Sequence, residues 1–89
     1  MNWKDIQVSD DNTHFIFDEK PILGKTFIEV LKFHSPGLAP VSDNSGAYHI
    51  DSNGNELYPN RYSRTFGFYC NRASVVENNH WFHINEKGK

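Results

Sequence analysis

Residues 41–51 read VSDNSGAYHID, and the phrase is written twice more, as VSDDNTHFIFD at residues 8–18 and VVENNHWFHIN at residues 75–85. The three stretches align without a gap and start 33 and 34 residues apart. Val8, Val41 and Val75 open them, with Asp10, Asp43 and Glu77 two places on. A polar stretch then leads to an aromatic residue (Phe15, Tyr48, Phe82). An apolar one follows two places later (Phe17, Ile50, Ile84), and then an acid or amide (Asp18, Asp51, Asn85). This alternation predicts a strand with Phe15/Phe17, Tyr48/Ile50 and Phe82/Ile84 on its inner face. Each copy thus reads as a loop, a short strand and a turn led by Asp or Asn, whose side chain accepts backbone N–H groups two residues on. A period near 34 residues is a mark of repeat architectures, in which no unit buries its apolar face alone.

The flanking segments correspond as well. Ser52-Asn53-Gly54-Asn55 contains Asn-Gly, which suits a two-residue primed turn, and Leu57 and Tyr58 would lie on the returning strand before Pro59. Glu86-Lys87-Gly88-Lys89 has the same form, whereas Glu19-Lys20-Pro21 lacks the glycine and requires a different turn. Phe27 matches Tyr62, and Phe33 matches Phe68. Residues 25–34 could form an amphipathic helix through Phe27, Val30, Leu31 and His34. Their counterpart, residues 62–68, is a poor helix former, so strand is expected for both.

With 89 residues the chain is at most one domain with a thin core. Aromatics reach 15 %, which points to flat rings packed on sheets. Nine Lys+Arg against eleven Asp+Glu leave no basic footprint for nucleic acid. A single cysteine, Cys70, excludes an intramolecular disulfide and a cysteine-based metal cluster. No apolar segment follows Met1 and no run nears membrane-spanning length, so the expected location is the cytoplasm, with no membrane partner.

Trp81-Phe82-His83-Ile84-Asn85-Glu86-Lys87-Gly88-Lys89 resembles the W-G-Y-I-D-x-x-G-K core of the bacterial WG repeat, also called KWG. Ala47-Tyr48-His49-Ile50-Asp51-Ser52-Asn53-Gly54 resembles that core with Ala for Trp. Residues 58–62 (YPNRY) look like the family's I-P-x-x-Y, and residues 33–41 (FHSPGLAPV) like its F-x-x-G-L-A-x-V. The family's glycine after Trp is aromatic here (Tyr48, Phe82), followed by His49 and His83, which suggests a Y/F-H-I-D variant. The resemblance implies a β-repeat architecture used as a binding or interaction module. It implies no catalytic residue, and more copies in a longer bacterial protein.

His80 and His83 would point to opposite faces of a strand, the wrong geometry for a shared ion. His49 and His83 occupy equivalent positions, but the first copy has Ile16 there, as expected of a half-buried sheet surface. Asp10, Asp43 and Glu77 read as solvent-side loop residues. Arg61, Arg64 and Arg72 lie near Tyr62, either as a patch for a partner or as charges guarding a sheet edge. Cys70 has no basic neighbour in sequence and reads as a bystander thiol.

The expectation is an all-β, antiparallel meander of repeats of about 34 residues, as an open sheet or short solenoid. Residues 1–40 form an atypical first repeat, 41–74 a complete one and 75–89 a truncated third. The expected function is non-catalytic binding of a protein or ligand, without cofactor or metal. The candidate surface carries Trp81, His49, His83, Arg61, Tyr62, Arg64 and Arg72. Expected partners are a protein or further repeats of the same chain, with homo-oligomers possible through open sheet edges. The alternative from another class is a small hydrolase or nuclease using His49 and His83 as an acid/base pair.

Overall fold

Turns of two to four residues decide which side chains face each other. In the computed structural model, which describes residues 2–89, a 3-10 turn at Trp3–Asp5 leads into nine strands. They are β1 (Gln7–Val8), β2 (Phe15–Phe17), β3 (Lys20–Pro21), β4 (Glu29–Val30), β5 (Leu38–Asp43), β6 (Gly46–Asp51), β7 (Arg64–Tyr69), β8 (Arg72–Glu77) and β9 (His80–Ile84). They form three antiparallel three-stranded sheets, β1-β2-β3, β4-β5-β6 and β7-β8-β9, which do not close into a barrel.

The columns aligned in the sequence meet as cross-strand partners. Val8 faces Phe15, Val41 faces Tyr48, and Val75 faces Phe82. Beside them Gln7 faces Ile16, Pro40 faces His49, and Ser74 faces His83. The opening of the phrase, however, is not a loop in the second and third copies. Val41, Ser42 and Asp43 already pair with Tyr48, Ala47 and Gly46, so residues 41–51 are nearly all hairpin. Asp43 is no free loop residue either: its carboxylate accepts the Ser45 N–H at 2.8 Å and closes the turn. Gly46 restarts the strand at φ 125°, where a Cβ would lie 3.0 Å from the Arg61 Cβ. In the third copy Asn78 and Asn79 make the turn with φ of 51° and 67°, the paired positive values of a primed turn.

The Asn-Gly turn differs from expectation in length. Residues 52–55 form a four-residue loop whose organiser is Asp51. Its carboxylate accepts the N–H groups of Asn53 (2.9 Å) and Asn55 (3.0 Å), while its own N–H donates to the Asn55 carbonyl at 3.0 Å. Asn85 repeats the arrangement on Lys87 (2.9 Å) and Lys89 (3.2 Å). The chain then returns along β6, with Glu56 bridged to Ile50 and the Leu57 N–H donated to the His49 carbonyl. In the first copy Asp18 and Glu19, at φ 53° and 65°, turn β2 directly into β3.

Residues 27–33 are neither the helix nor the long strand that the sequence suggests. Only Glu29–Val30 joins a ladder, and the buried side chains Phe27, Val30 and Phe33 come every third residue. The reason lies in the main chain. Phe27 and Val30 donate to Thr13 and Asn12 on one side, and Ile28 and Leu31 donate to Ser42 and Pro40 on the other. The segment is held between the first sheet's loop and β5. Its counterpart β7 is a full six-residue strand, irregular between Thr65 and Phe68. The core is ring-rich as anticipated, with Phe15 at 4.7 Å from Phe33 and edge-on to Phe27 at 6.5 Å.

Each Asx-led loop rests on one side-chain acceptor shared by two N–H groups. Asp51→Ala and Asn85→Ala should each lower the unfolding free energy by about 1–2 kcal/mol, with Asp51→Asn near neutral. Urea denaturation checks this; an Asp51→Ala protein as stable as the parent would show that the carboxylate does not organise the loop.

Candidate functional site

The second and third sheets meet along one seam. Ala47 and Tyr62 exchange both main-chain hydrogen bonds, at 2.8 and 2.9 Å, although Tyr62 precedes β7 and Ala47 belongs to β6. Further along, the Thr65 hydroxyl donates to the Tyr48 carbonyl at 3.3 Å. The His49 ring is wholly buried between Tyr58 and Phe68, its centroid 4.6 Å from that of Phe68. His49 Nε2 lies 2.7 Å from the Phe66 carbonyl, which can only accept, so this nitrogen carries the proton. His49 Nδ1 then accepts from the Tyr58 hydroxyl at 2.5 Å. The imidazole is neutral with both nitrogens engaged, and burial holds its pKa down at about 4.

Arg61 and Tyr62 also belong to the seam. The Arg61 guanidinium lies 3.7 Å over the Tyr48 ring, donates to Ser45 Oγ at 2.7 Å and pairs with Glu56 at 2.7 Å. Beneath it the Tyr48 hydroxyl donates to Asp43 at 2.7 Å. The Ser45 hydroxyl above all, with Tyr48, holds the Asp43 carboxyl at about 2, while burial pushes the Tyr48 phenol up. The buried Tyr62 ring stands edge-on to Tyr58 and Phe82, and its hydroxyl donates to the Gly88 carbonyl at 3.0 Å. Of the seven candidate residues, His49, Arg61 and Tyr62 are therefore occupied within the fold.

The other four share a surface. Arg64 faces Val76, which faces Trp81, and Ser74 faces His83, so these side chains stand on one face of the third sheet. Arg72, two residues before Ser74, stands on it too. Gly67, Tyr69, Arg72, Ser74 and His83 line a shallow cleft there. Trp81 is 67 % exposed, yet its ring is stacked on Phe66 at 5.2 Å and 15°, with Arg64 over the other aromatic at 5.7 Å. Phe66 and Tyr58 were not anticipated. No spacing rule reveals that one supplies a carbonyl and a stacking face, or that the other caps a histidine nine residues away.

The decisive feature is a contrast between equivalent positions. Ala47 and Tyr48 are 3 % and 0 % exposed, while Trp81 and Phe82 are 67 % and 40 % exposed. His49 is enclosed, while His83 is open. Residues 61–68 cover β6; among the described residues no segment covers the matching stretch of β9, the edge strand of its sheet. Such an edge offers main-chain donors and acceptors beside apolar surface, which suits an extended polypeptide. Of the two histidines of the alternative acid/base reading, His49 has both nitrogens engaged by Tyr58 and Phe66, and His83 is exposed. Among the described residues no group of three or more His, Cys, Asp or Glu side chains could hold a metal ion, and no helix is long and apolar enough to cross a membrane.

The His49 latch sets a pH dependence. Its folded pKa lies below the unfolded value of 6.5, so the unfolded state binds the extra proton between the two. The stabilisation is complete above about pH 6.5 and is lost as pH falls towards 4, by about 3 kcal/mol in total. Urea midpoints should fall across this window and lose that slope in His49→Gln; a flat profile in the parent would contradict the buried neutral ring. Arg61→Ala should cost about 1–2 kcal/mol and Arg61→Lys should not restore it, whereas Arg72→Ala should stay within about 0.5 kcal/mol of the parent. Equal stabilities for Arg61→Ala and Arg72→Ala would place both arginines outside the fold's support. Comparison of the chain with protein-family models, curated proteins and solved structures finds no match, so a functional reading rests on this geometry.

Proposed function

We propose that the chain is a non-catalytic β-repeat module of the WG type, whose units stack and whose uncovered surface binds a protein partner or further repeats. Its units would be residues 1–40, 41–74 and 75–89. The observation that carries this reading is the recurrence of one seam. The segment starting at Phe27 bonds to the loop before β2 through Thr13, and the segment starting at Tyr62 bonds to β6 one column further on, through Ala47. Among the described residues the matching edge of the third sheet is uncovered. The partner-facing residues are then Trp81, His83, Arg64 and Arg72, which share one exposed face. A hydrolase built on His49 and His83 has no such support, because His49 is enclosed and both its nitrogens are engaged.

A stacking module must accept one more unit. Asn55 and Lys89 hold equivalent places in their loops, so a second copy of residues 56–89 fused after Lys89 continues the register. The expected outcome is a single cooperative unfolding transition and at least tenfold slower amide exchange at Trp81, as its N–H enters a seam. An unfolded extension with unchanged Trp81 exchange would defeat the repeat reading.

A further inference from the structure

Resting on that reading, we infer that the β9 edge is a receptor for an extended polypeptide segment carrying two aromatic residues six positions apart, bound by strand addition. The two filled seams define the occupant. In each, an aromatic begins the covering segment and a second follows six residues later: Phe27 and Phe33, Tyr62 and Phe68. In the first seam both rings pack on Phe15, at 6.5 and 4.7 Å. In the second, Tyr62 exchanges main-chain bonds with Ala47, Thr65 reaches the Tyr48 carbonyl, the Phe66 carbonyl takes the His49 Nε2 proton, and Phe68 covers that imidazole.

Transferred by register, the hydrogen-bonding groups that receive the second seam have counterparts on β9, while His80 stands at the place of Gly46. Trp81 pairs with Val76 as Ala47 pairs with Ser42, so Trp81 offers its N–H and C=O at the same edge. The Phe82 carbonyl stands for that of Tyr48, and its half-exposed ring for the apolar floor. His83 stands for His49 and can donate Nε2–H to a carbonyl four residues after the first aromatic. Phe66 holds the Trp81 ring by stacking, which fixes the bulky side chain that replaces Ala47. A second folded copy of this chain does not supply the occupant. Both of its aromatic segments are already seated, with Phe27, Phe33, Tyr62 and Phe68 all buried. The fitting partner is therefore an extended segment that is not already seated in this fold, bound by main-chain pairing with aromatic pockets for specificity.

The test uses the whole 89-residue chain and a labelled peptide of residues 60–69 (NRYSRTFGFY) as probe, followed by anisotropy and backbone NMR. Saturable binding is expected, with shifts centred on Trp81, Phe82 and His83 and slowed Trp81 amide exchange. Serine at both aromatic positions of the peptide, or Phe82→Ser in the protein, should weaken binding at least tenfold. His83→Ala should weaken it several-fold while leaving the unfolding midpoint unchanged. Equal binding of the serine peptide, or shifts centred on Ala47 from displacement of the resident segment, would overturn the inference. So would a dimer by light scattering that excess peptide fails to dissociate, which would assign the edge to a second copy. If the fused unit described above docks and the peptide does not, only the partner chemistry fails. If neither docks, the repeat reading falls with it.

Discussion

The pairing of a buried imidazole with a main-chain carbonyl, His49 Nε2 to Phe66, is the contact on which the arrangement of the second and third sheets depends. Each sheet consists of three short strands and cannot cover its own surface. Eight of the twelve residues in β5 and β6 are buried, and β7 packs against both strands. Enclosing a histidine there is costly unless both nitrogens find partners. The cost makes the contact selective: only a chain that places a carbonyl at Phe66, a ring at Phe68 and a hydroxyl at Tyr58 satisfies it. The latch therefore favours one seating of β7 over alternatives that slide along the same apolar surface.

A second set of polar contacts fixes the opposite side of the same strand. Asp43 closes the hairpin turn through Ser45, takes the Tyr48 hydroxyl, and lies 3.9 Å from the Lys25 ammonium. Arg61 lies over the Tyr48 ring and ties Ser45 to Glu56. This chain of contacts begins in the turn of one hairpin and ends on the connection into the next sheet. Exposed ion pairs alone contribute little. Here the guanidinium also covers an aromatic face, and the Arg61 Cβ would lie 3.0 Å from a Cβ at Gly46, so its packing matters more than its charge.

Which parts of this were legible in the sequence follows from what each part depends on. The short strands through Tyr48/Ile50 and Phe82/Ile84 follow from side-chain alternation, which is written in residue types, whereas their pairing with Val41 and Val75 depends on turns inside what reads as a loop. The Asx-led loops were readable for the same reason, since Asp51 and Asn85 act through their own side chains. The turn at Cys70 and Asn71, with φ of 51° and 66°, was not, because Cys carries no turn signal. Residues 27–33 were misjudged because main-chain bonds to two different neighbours shape them, and main-chain groups are the same in every residue. In the candidate site, Trp81 and His83 were legible as surface groups. His49 was not separable from His83, since identical residues at equivalent positions differ only in what lies over them. Arg61 and Tyr62 looked like a patch because proximity in sequence does not say which side of a seam a residue joins.

The difference between the copies at one position carries the functional argument furthest. Ala47, small and covered, and Trp81, large and stacked on Phe66, have the same register. Under a covering segment a small residue leaves the approach to the edge open. At an uncovered edge a broad ring shields the apolar face of its own sheet from water, and removes little of the strand's main-chain capacity. Bare edge strands invite indiscriminate pairing, which natural sheets oppose with charge. The face beside this edge carries Arg64, Arg72 and His83, and the chain's net charge is only −2. The two guanidinium groups, Arg64 and Arg72, discourage a second copy's equally cationic face. On the proposed reading, the edge is thereby guarded against self-pairing while its main-chain groups stay open to a partner.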